Sequence, residues 1–360
     1  MVWRIALGGA LILAFTCGAC NGDSSPETDT GAPPQDISTP ADTTTPDTTT
    51  QDTTVPQDSG KPPQDTSSPE DTSSSDTSGP QPGQACPNND RVGYIEVANW
   101  DFYSTVAGQI YDAVNPLEVL QPKETQNGCT LMMKKNPFCD PPCGAGNLCN
   151  HGGECVPYPV AQNIGTVTVT GLLKDVSMEP GATNMYSDST LPFPCYEPGA
   201  KISVTATGGD LTGFTLNGTG VATLEIAAGE LLAEKGKDLQ VTWTPAEGEG
   251  KIHMRLNVDQ HGNSPVTMVC DVDDTGTFAV PGSLVTTLLE YGVSGFATFD
   301  IYRRTVDSVT LGVGCVELRV LSWAQGKVVV EGHVPCFSDK DCPEGETCKV
   351  EINTCTGAGN

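Results

Sequence analysis

The sequence predicts a mainly β protein: a β-sandwich with small disulfide-rich modules, preceded by a disordered linker. Short runs alternate apolar and polar residues, and Gly, Pro, Asn and Asp punctuate them at roughly ten-residue spacing. Two groups of four cysteines, each within about twenty residues, complete the pattern.

The clearest run is residues 251–259. Ile252, Met254, Leu256 and Val258 face one way, and His253, Arg255, Asn257 and Asp259 face the other. Period two of this kind is a half-buried strand. The same reading fits residues 166–170, 201–207, 222–227, 239–244, 297–302, 316–323 and 327–330. Only residues 229–235 and 282–291 read as short helices. Residues 92–97 and 130–133 add strand-like pieces, too few alone to bury a core, so they are assigned to the same sandwich. The expected organisation is a sandwich over 86–334 with a cysteine-rich insertion at 136–158, then a cysteine-rich module over 335–360.

Residues 20–85 are expected to be the linker. The tract repeats Pro, Thr, Ser and Asp, has no aromatic residue and carries twelve acids against Lys61. Such a segment cannot bury enough surface to offset its chain entropy. Its reach lies between roughly 45 Å as a flexible coil and roughly 190 Å in polyproline geometry. With a net charge of −27, the chain would repel nucleic acid and anionic membrane surfaces.

Residues 1–19 read as an export signal: Arg4, then an apolar run from Ile5 to Phe15, too short to span a bilayer. Cys17-Gly18-Ala19-Cys20-Asn21 follows, and small residues directly before Cys20 resemble the lipobox of bacterial lipoproteins. The resemblance implies cleavage before Cys20, acylation of Cys20, and a protein held to the membrane by lipid. Several acyl chains together anchor stably.

Removing Cys17 and committing Cys20 leaves thirteen of the 15 cysteines. In an exported chain that density reads as disulfides. Zinc sites usually need paired Cys-x-x-Cys ligands, which the remaining cysteines lack. The first tight cluster is Cys139, Cys143, Cys149 and Cys155; the second is Cys336, Cys342, Cys348 and Cys355. Each allows three pairings, and spacing does not choose among them. The odd thiol falls to Cys195, Cys270 or Cys315. The first cluster, ending Gly152-Gly153-Glu154-Cys155-Val156, resembles part of an EGF-like module without its full cysteine set. The second resembles the short repeats of Dickkopf-type proteins. Together with Val241-Thr-Trp-Thr-Pro245 and the stretch from Asp273 to Pro281, the whole arrangement resembles myxobacterial-type surface lipoproteins. That resemblance implies an envelope location, at the outer surface of the outer membrane in such cells, and brings no catalytic residue or cofactor.

Catalytic motifs are absent. There is no Gly-x-Ser-x-Gly and no His-Glu-x-x-His among His151, His253, His261 and His333. His253 and Asp259 share a strand face but sit roughly 20 Å apart at strand rise, so solvent-facing polar roles are expected. Asp271 and Asp273, with Gly276, open like a calcium loop, but position twelve is Gly282 where a Glu belongs. A hairpin turn is the expected role of that segment, and calcium the one cofactor it raises. Trp243 and Trp323 are assigned to the core by parity. Trp100 and Tyr103, beside Phe102, form the aromatic patch to test for glycan binding, although core packing is the expected role. Asn217-Gly-Thr219 is expected to be a chance turn. The function expected is a non-enzymatic structural, adhesive or binding protein, its partner a glycan or surface protein. The alternative is a secreted hydrolase or an accessory carbohydrate-binding subunit.

Overall fold

The computed structural model describes residues 83–262 and 264–357. The export signal, Cys20 and the linker up to residue 82 lie outside the described residues. Among those described, no helix is long and apolar enough to cross a membrane.

The chain opens with strands β1 (Arg91–Asn99), β2 (Ser104–Ile110), β3 (Leu120–Gln126) and β4 (Cys129–Lys134). A small hairpin follows, β5 (Asn147–Cys149) and β6 (Cys155–Pro157). Then come β7 (Val167–Thr170), β8 (Val176–Met178), β9 (Tyr186–Asp188), β10 (Lys201–Ala206) and β11 (Phe214–Thr219). Next are β12 (Glu230–Ala233), β13 (Leu239–Thr242), β14 (Lys251–Asn257), β15 (Val266–Asp273) and β16 (Thr277–Val280). Helix α1 (Gly282–Glu290) precedes two long strands, β17 (Thr298–Leu311) and β18 (Gly314–Val330), and the chain ends with β19 (Glu346–Lys349) and β20 (Thr354–Gly357).

One large sheet organises the fold, in the order β3-β4-β15-β14-β17-β18-β1-β2-β9, with β12 also pairing β18. Its spine is the β17–β18 hairpin, in continuous antiparallel register from Thr298↔Lys327 to Leu311↔Gly314. Parity assigns the faces. On β18, Val316, Leu318 and Val320 enter one core, and Ala324, Val328 and Val330 enter a second. These positions are all even, so both cores lie on the same face of the sheet. The first core is closed by the four-stranded sheet β11-β10-β7-β8, which supplies Ile202, Val204, Leu216 and Val169. The second is closed by the β13–β16 ribbon and α1, which supply Leu239, Val241 and Leu288, and β12 of the large sheet adds Leu231. The expected single sandwich is therefore a double one sharing a sheet.

At two glycines the sheet demands the absence of a side chain. The ring of Phe299 lies where a Cβ on Gly326 would stand, 2.2 Å from it. On Gly218, where β11 crosses β18, a Cβ would come within 2.7 Å of Val320. Between the cores sits Arg303, its side chain 2% exposed. Nε donates to Asp274 at 2.6 Å, and the guanidinium also donates to the carbonyls of Ala222, Thr223 and Thr244. The three carbonyls belong to the covering segments and Asp274 to the turn from β15 into β16, so one cation fastens them to β17.

Several expectations are corrected. Residues 229–235 are not helical: Leu231 and Ala233 turn inward as β12 pairs in parallel with β18, a tertiary pairing that overrides local helix preference. Residues 222–227 form no strand. Their one ladder contact is a bridge from Ile226 to Trp243, although Leu224 is buried. Residues 316–323 and 327–330 are one strand. Asn217 to Thr219 lies within β11 and is no turn.

Disulfides staple what the cores do not reach. Cys139–Cys149 and Cys143–Cys155 brace the β5–β6 hairpin, which projects between β4 and β7. Cys336–Cys348 and Cys342–Cys355 brace the β19–β20 hairpin. Both clusters pair first with third and second with fourth. Cys129–Cys270 joins neighbouring strands β4 and β15, and Cys86–Cys315 ties the first described residues to the start of β18. Of the three candidates for the odd thiol, Cys270 and Cys315 are thereby excluded. Among the described residues Cys195 is unpaired, and it is buried. Burial raises its thiol to about 11, the opposite of what a reactive cysteine needs.

Replacing Asp274 with Ala leaves the Arg303 charge buried with carbonyl partners alone. The expected cost is about 3–5 kcal/mol, read as a lower urea midpoint; an unchanged midpoint would contradict the fastening role.

Candidate functional site

Among the described residues, the second face of the large sheet has no covering layer across its centre. It carries the odd residues of β18 (Glu317, Arg319, Leu321, Trp323) and the even ones of β17 (Asp300, Tyr302, Arg304). Tyr94 and Glu96 of β1, His253 and Arg255 of β14, and Asp271 of β15 complete it. Apart from Asp300 and Trp323, these side chains line a groove of about 650 Å³. Ala85, Cys86 and Asn88 form one of its walls, held there by the Cys86–Cys315 bond.

Charge pairs preorganise the floor. Asp271 Oδ1 accepts from Arg304 Nη2 at 2.9 Å and lies 2.9 Å from His253 Nδ1. His253 and Asp271 are register partners on adjacent antiparallel strands. Burial pushes the Asp271 carboxyl up, but the His253 and Arg304 partners outweigh it and hold it at about 2. Burial lowers the His253 imidazole, only partly opposed by Asp271, so it is neutral near pH 7. Glu317, 1% exposed, pairs with Arg319 and accepts the Cys86 backbone N–H at 2.8 Å. Burial raises its carboxyl, and the charges of Arg319 and Arg91 with those hydrogen bonds bring it below the ordinary range. The Arg319 guanidinium also lies 4.2 Å from the centre of the Tyr94 ring. Glu96 differs: burial raises its carboxyl more than Arg319 and Arg304 lower it. Tyr302 is pushed up to about 12 by burial, Asp300 and Glu96.

An aromatic group stands at one end. Trp100 stacks on Tyr103 with centroids 6.2 Å apart and meets Trp323 edge-on at 5.2 Å. Trp100 Nε1 donates to Thr105 at 3.0 Å and Trp323 Nε1 to Asp300 at 3.1 Å. Tyr103 is 46% exposed and Phe102 79% exposed. Trp100 and Trp323 therefore belong to the open face and to neither core, which corrects the core assignment of both. The Leu321 parity used for Trp323 is the groove parity. Trp243 is a core residue as expected, with its Nε1 bonded to Asp274.

The remaining expected site residues fall as follows. Asp273 pairs with Lys251 at the exposed ends of β15 and β14. Asp271 faces the groove, and Asp274 turns to the buried Arg303. Each carboxylate of the calcium-like stretch is thus bound to a different cation, and the three do not converge. Among the described residues, ligand atoms of His, Cys, Asp or Glu gather in threes only at the two cysteine clusters, whose sulfurs are paired in disulfides. His253 takes Asp271 as its partner across the strands. Asp259 is buried and bonds Ser294 and backbone N–H groups. Arg91, Glu96, Tyr302, Arg304, Glu317 and Arg319 carried no sequence motif. Their signal was charge at alternate strand positions, which reads equally as a solvated face until strand register brings six strands together.

No protein-family model matches the chain, and no curated protein matches it. Among solved structures, the chicken CNTN1 FN1-FN3 domains match at 7% identity and a TM-score of 0.16, over 58% of this chain and 66% of that one. Murine CEACAM1b matches at 8% identity and a TM-score of 0.14, over 66% of this chain and 99% of that one. Scores this low carry no argument, and the β class rests on the strand pairing itself.

The ionisations set a pH dependence. His253 takes up its proton at lower pH folded than unfolded, so its contribution is present at pH 7 and lost as pH falls through and below about 6.5. Asp271, depressed to about 2, contributes above about 4 and loses that as pH falls towards 2. Urea unfolding is expected to show stability falling between pH 7 and 5, with His253→Gln flattening that slope. An unchanged slope in the variant would contradict the assignment.

Proposed function

We propose that this chain is a lipid-anchored bacterial envelope protein whose folded body is a non-enzymatic binding module. The observation that carries the binding role is the open face: fixed charge pairs and aromatic rings over about 650 Å³, with no layer of the described residues covering them. A surface that serves only as an outer wall has no need of clamped arginines, because exposed ion pairs add little stability. Six disulfides among the described residues support an oxidising compartment. The lipobox-like run at Cys20 and the acidic tract after it support a body held off a membrane by lipid, on the outer surface of the envelope. The partner is a glycan or a surface protein; the acidity of the chain disfavours nucleic acid.

A second reading, a secreted hydrolase or an accessory carbohydrate-binding subunit, is favoured by one observation. Neutral His253 bonded to Asp271 shares a cleft with Glu96, whose carboxyl is raised, so a base and an acid face one groove. No new reducing ends are expected from glycans incubated with the protein. Turnover that disappears in His253→Ala would move the assignment to an enzyme.

The anchor is tested by detergent-phase partition in a bacterial host. The full chain is expected in the detergent phase and Cys20→Ala in the aqueous phase. Retention of the variant with detergent would overturn the lipid anchor.

A further inference from the structure

The chain has six arginines: Arg4, Arg91, Arg255, Arg303, Arg304 and Arg319. Four of them, Arg91, Arg255, Arg304 and Arg319, line the groove of the open face, and no lysine does. In a chain of net charge −27 that placement is selective. Arginine in place of lysine suits an oxyanion such as a carboxylate or sulfate, two of whose oxygens the guanidinium fork meets with parallel hydrogen bonds.

The carboxylates of the groove fix these forks without consuming them. Asp271 takes one nitrogen of Arg304, and Glu317 takes Nε of Arg319, leaving the outer nitrogens of both. Arg255 is exposed and Arg91 half-buried. Among the described residues, neither guanidinium makes a hydrogen bond or an ion pair. A half-buried guanidinium without an acceptor is costly unless something supplies one.

The shape narrows the ligand further. Apart from Leu120 at the start of β3, the strand residues lining the groove come from β4, β15, β14, β17, β18 and β1, six strands side by side. At ~4.8 Å per interstrand step that is roughly 24 Å, long enough for an extended chain. At its end lie Trp100 and the exposed Tyr103, flat apolar faces for ring-shaped units.

Resting on the binding-module reading, we propose that this face binds an acidic polysaccharide. Its carboxylate or sulfate groups pair with Arg91, Arg255, Arg304 and Arg319, and its sugar rings lie against Trp100 and Tyr103. The acidity of the rest of the chain opposes approach of a polyanion, but that repulsion is screened beyond about 8 Å at physiological salt, whereas contact pairs persist.

The test is calorimetric titration of the full chain, held in detergent at roughly physiological salt. The polymers are polygalacturonate, a sulfated glucan, neutral dextran and duplex DNA. At least one acidic polysaccharide is expected to bind, and which one distinguishes carboxylate from sulfate. Dextran and DNA are expected to bind weakly or not at all. Arg255→Gln and Trp100→Ala are each expected to weaken binding about tenfold, while Lys201→Gln on the other sheet leaves it unchanged. Among the described residues the exposed Arg255 guanidinium has no hydrogen-bond or ion-pair partner, so its loss reports on the ligand and not on folding. Binding of neither acidic polymer, affinity unchanged in Arg255→Gln, or DNA bound as tightly as polysaccharide would overturn the proposal. Binding of dextran alone would also overturn it while leaving the broader glycan-binding role standing.

Discussion

The β17–β18 hairpin is the constraint on which the rest of the structure depends. Its unbroken register fixes the parity of 14 residues on one strand against 17 on the other. A slip by one residue would turn Val316, Leu318, Val320, Val328 and Val330 into solvent and drive Glu317 and Arg319 into the cores. Both cores and the groove are therefore specified together. The strands β1 and β14 add their own alternation on either flank of the hairpin and do not set it.

Two cores on one face leave a seam between them, and the seam is polar. Ser322 Oγ accepts the Leu224 N–H there at 3.0 Å, and Arg303 gathers Asp274 and three carbonyls. A buried ion pair adds little net stability against an apolar pair of the same volume. Its effect here is positional: the carbonyls of Ala222, Thr223 and Thr244 fit the guanidinium in one arrangement, which sets where the segment after β11 and the end of the β13 ribbon meet.

How much of this was legible in the sequence follows from what period two encodes. Alternation identified β10, β13, β14 and parts of β17 and β18, and cysteine density identified both stapled hairpins. Alternation gives two faces but does not say which neighbour each face meets. Trp323 shares parity with Leu321, and the sequence offered no reason to set that face apart from the core. The groove residues were visible only as charges at alternate positions of separate strands; the pairing of β1 with β18 across more than two hundred residues made them one site. β12 was misread because Leu231 and Ala233 suit a helix as well as a strand, and only its pairing with β18 decides between them. The unpaired cysteine was narrowed to three candidates by arithmetic and identified by proximity alone.

The bond between Cys86 and Cys315 has a mechanical consequence. It closes a covalent loop of 229 residues that contains β1 to β17, α1 and both covering layers. A pull applied to residues before Cys86 and resisted beyond Cys315 bypasses all of that material. Tension passes directly through the sulfur atoms to the first residues of β18. Only the chain after Cys315 can be drawn out, and it must first be unzipped from β17 on one side and β1 on the other. For a body held against flow by one end, the load would be carried at the centre of the widest sheet, along the strand that gives the groove Glu317, Arg319 and Leu321, while most of the groove's other lining residues sit inside the closed loop.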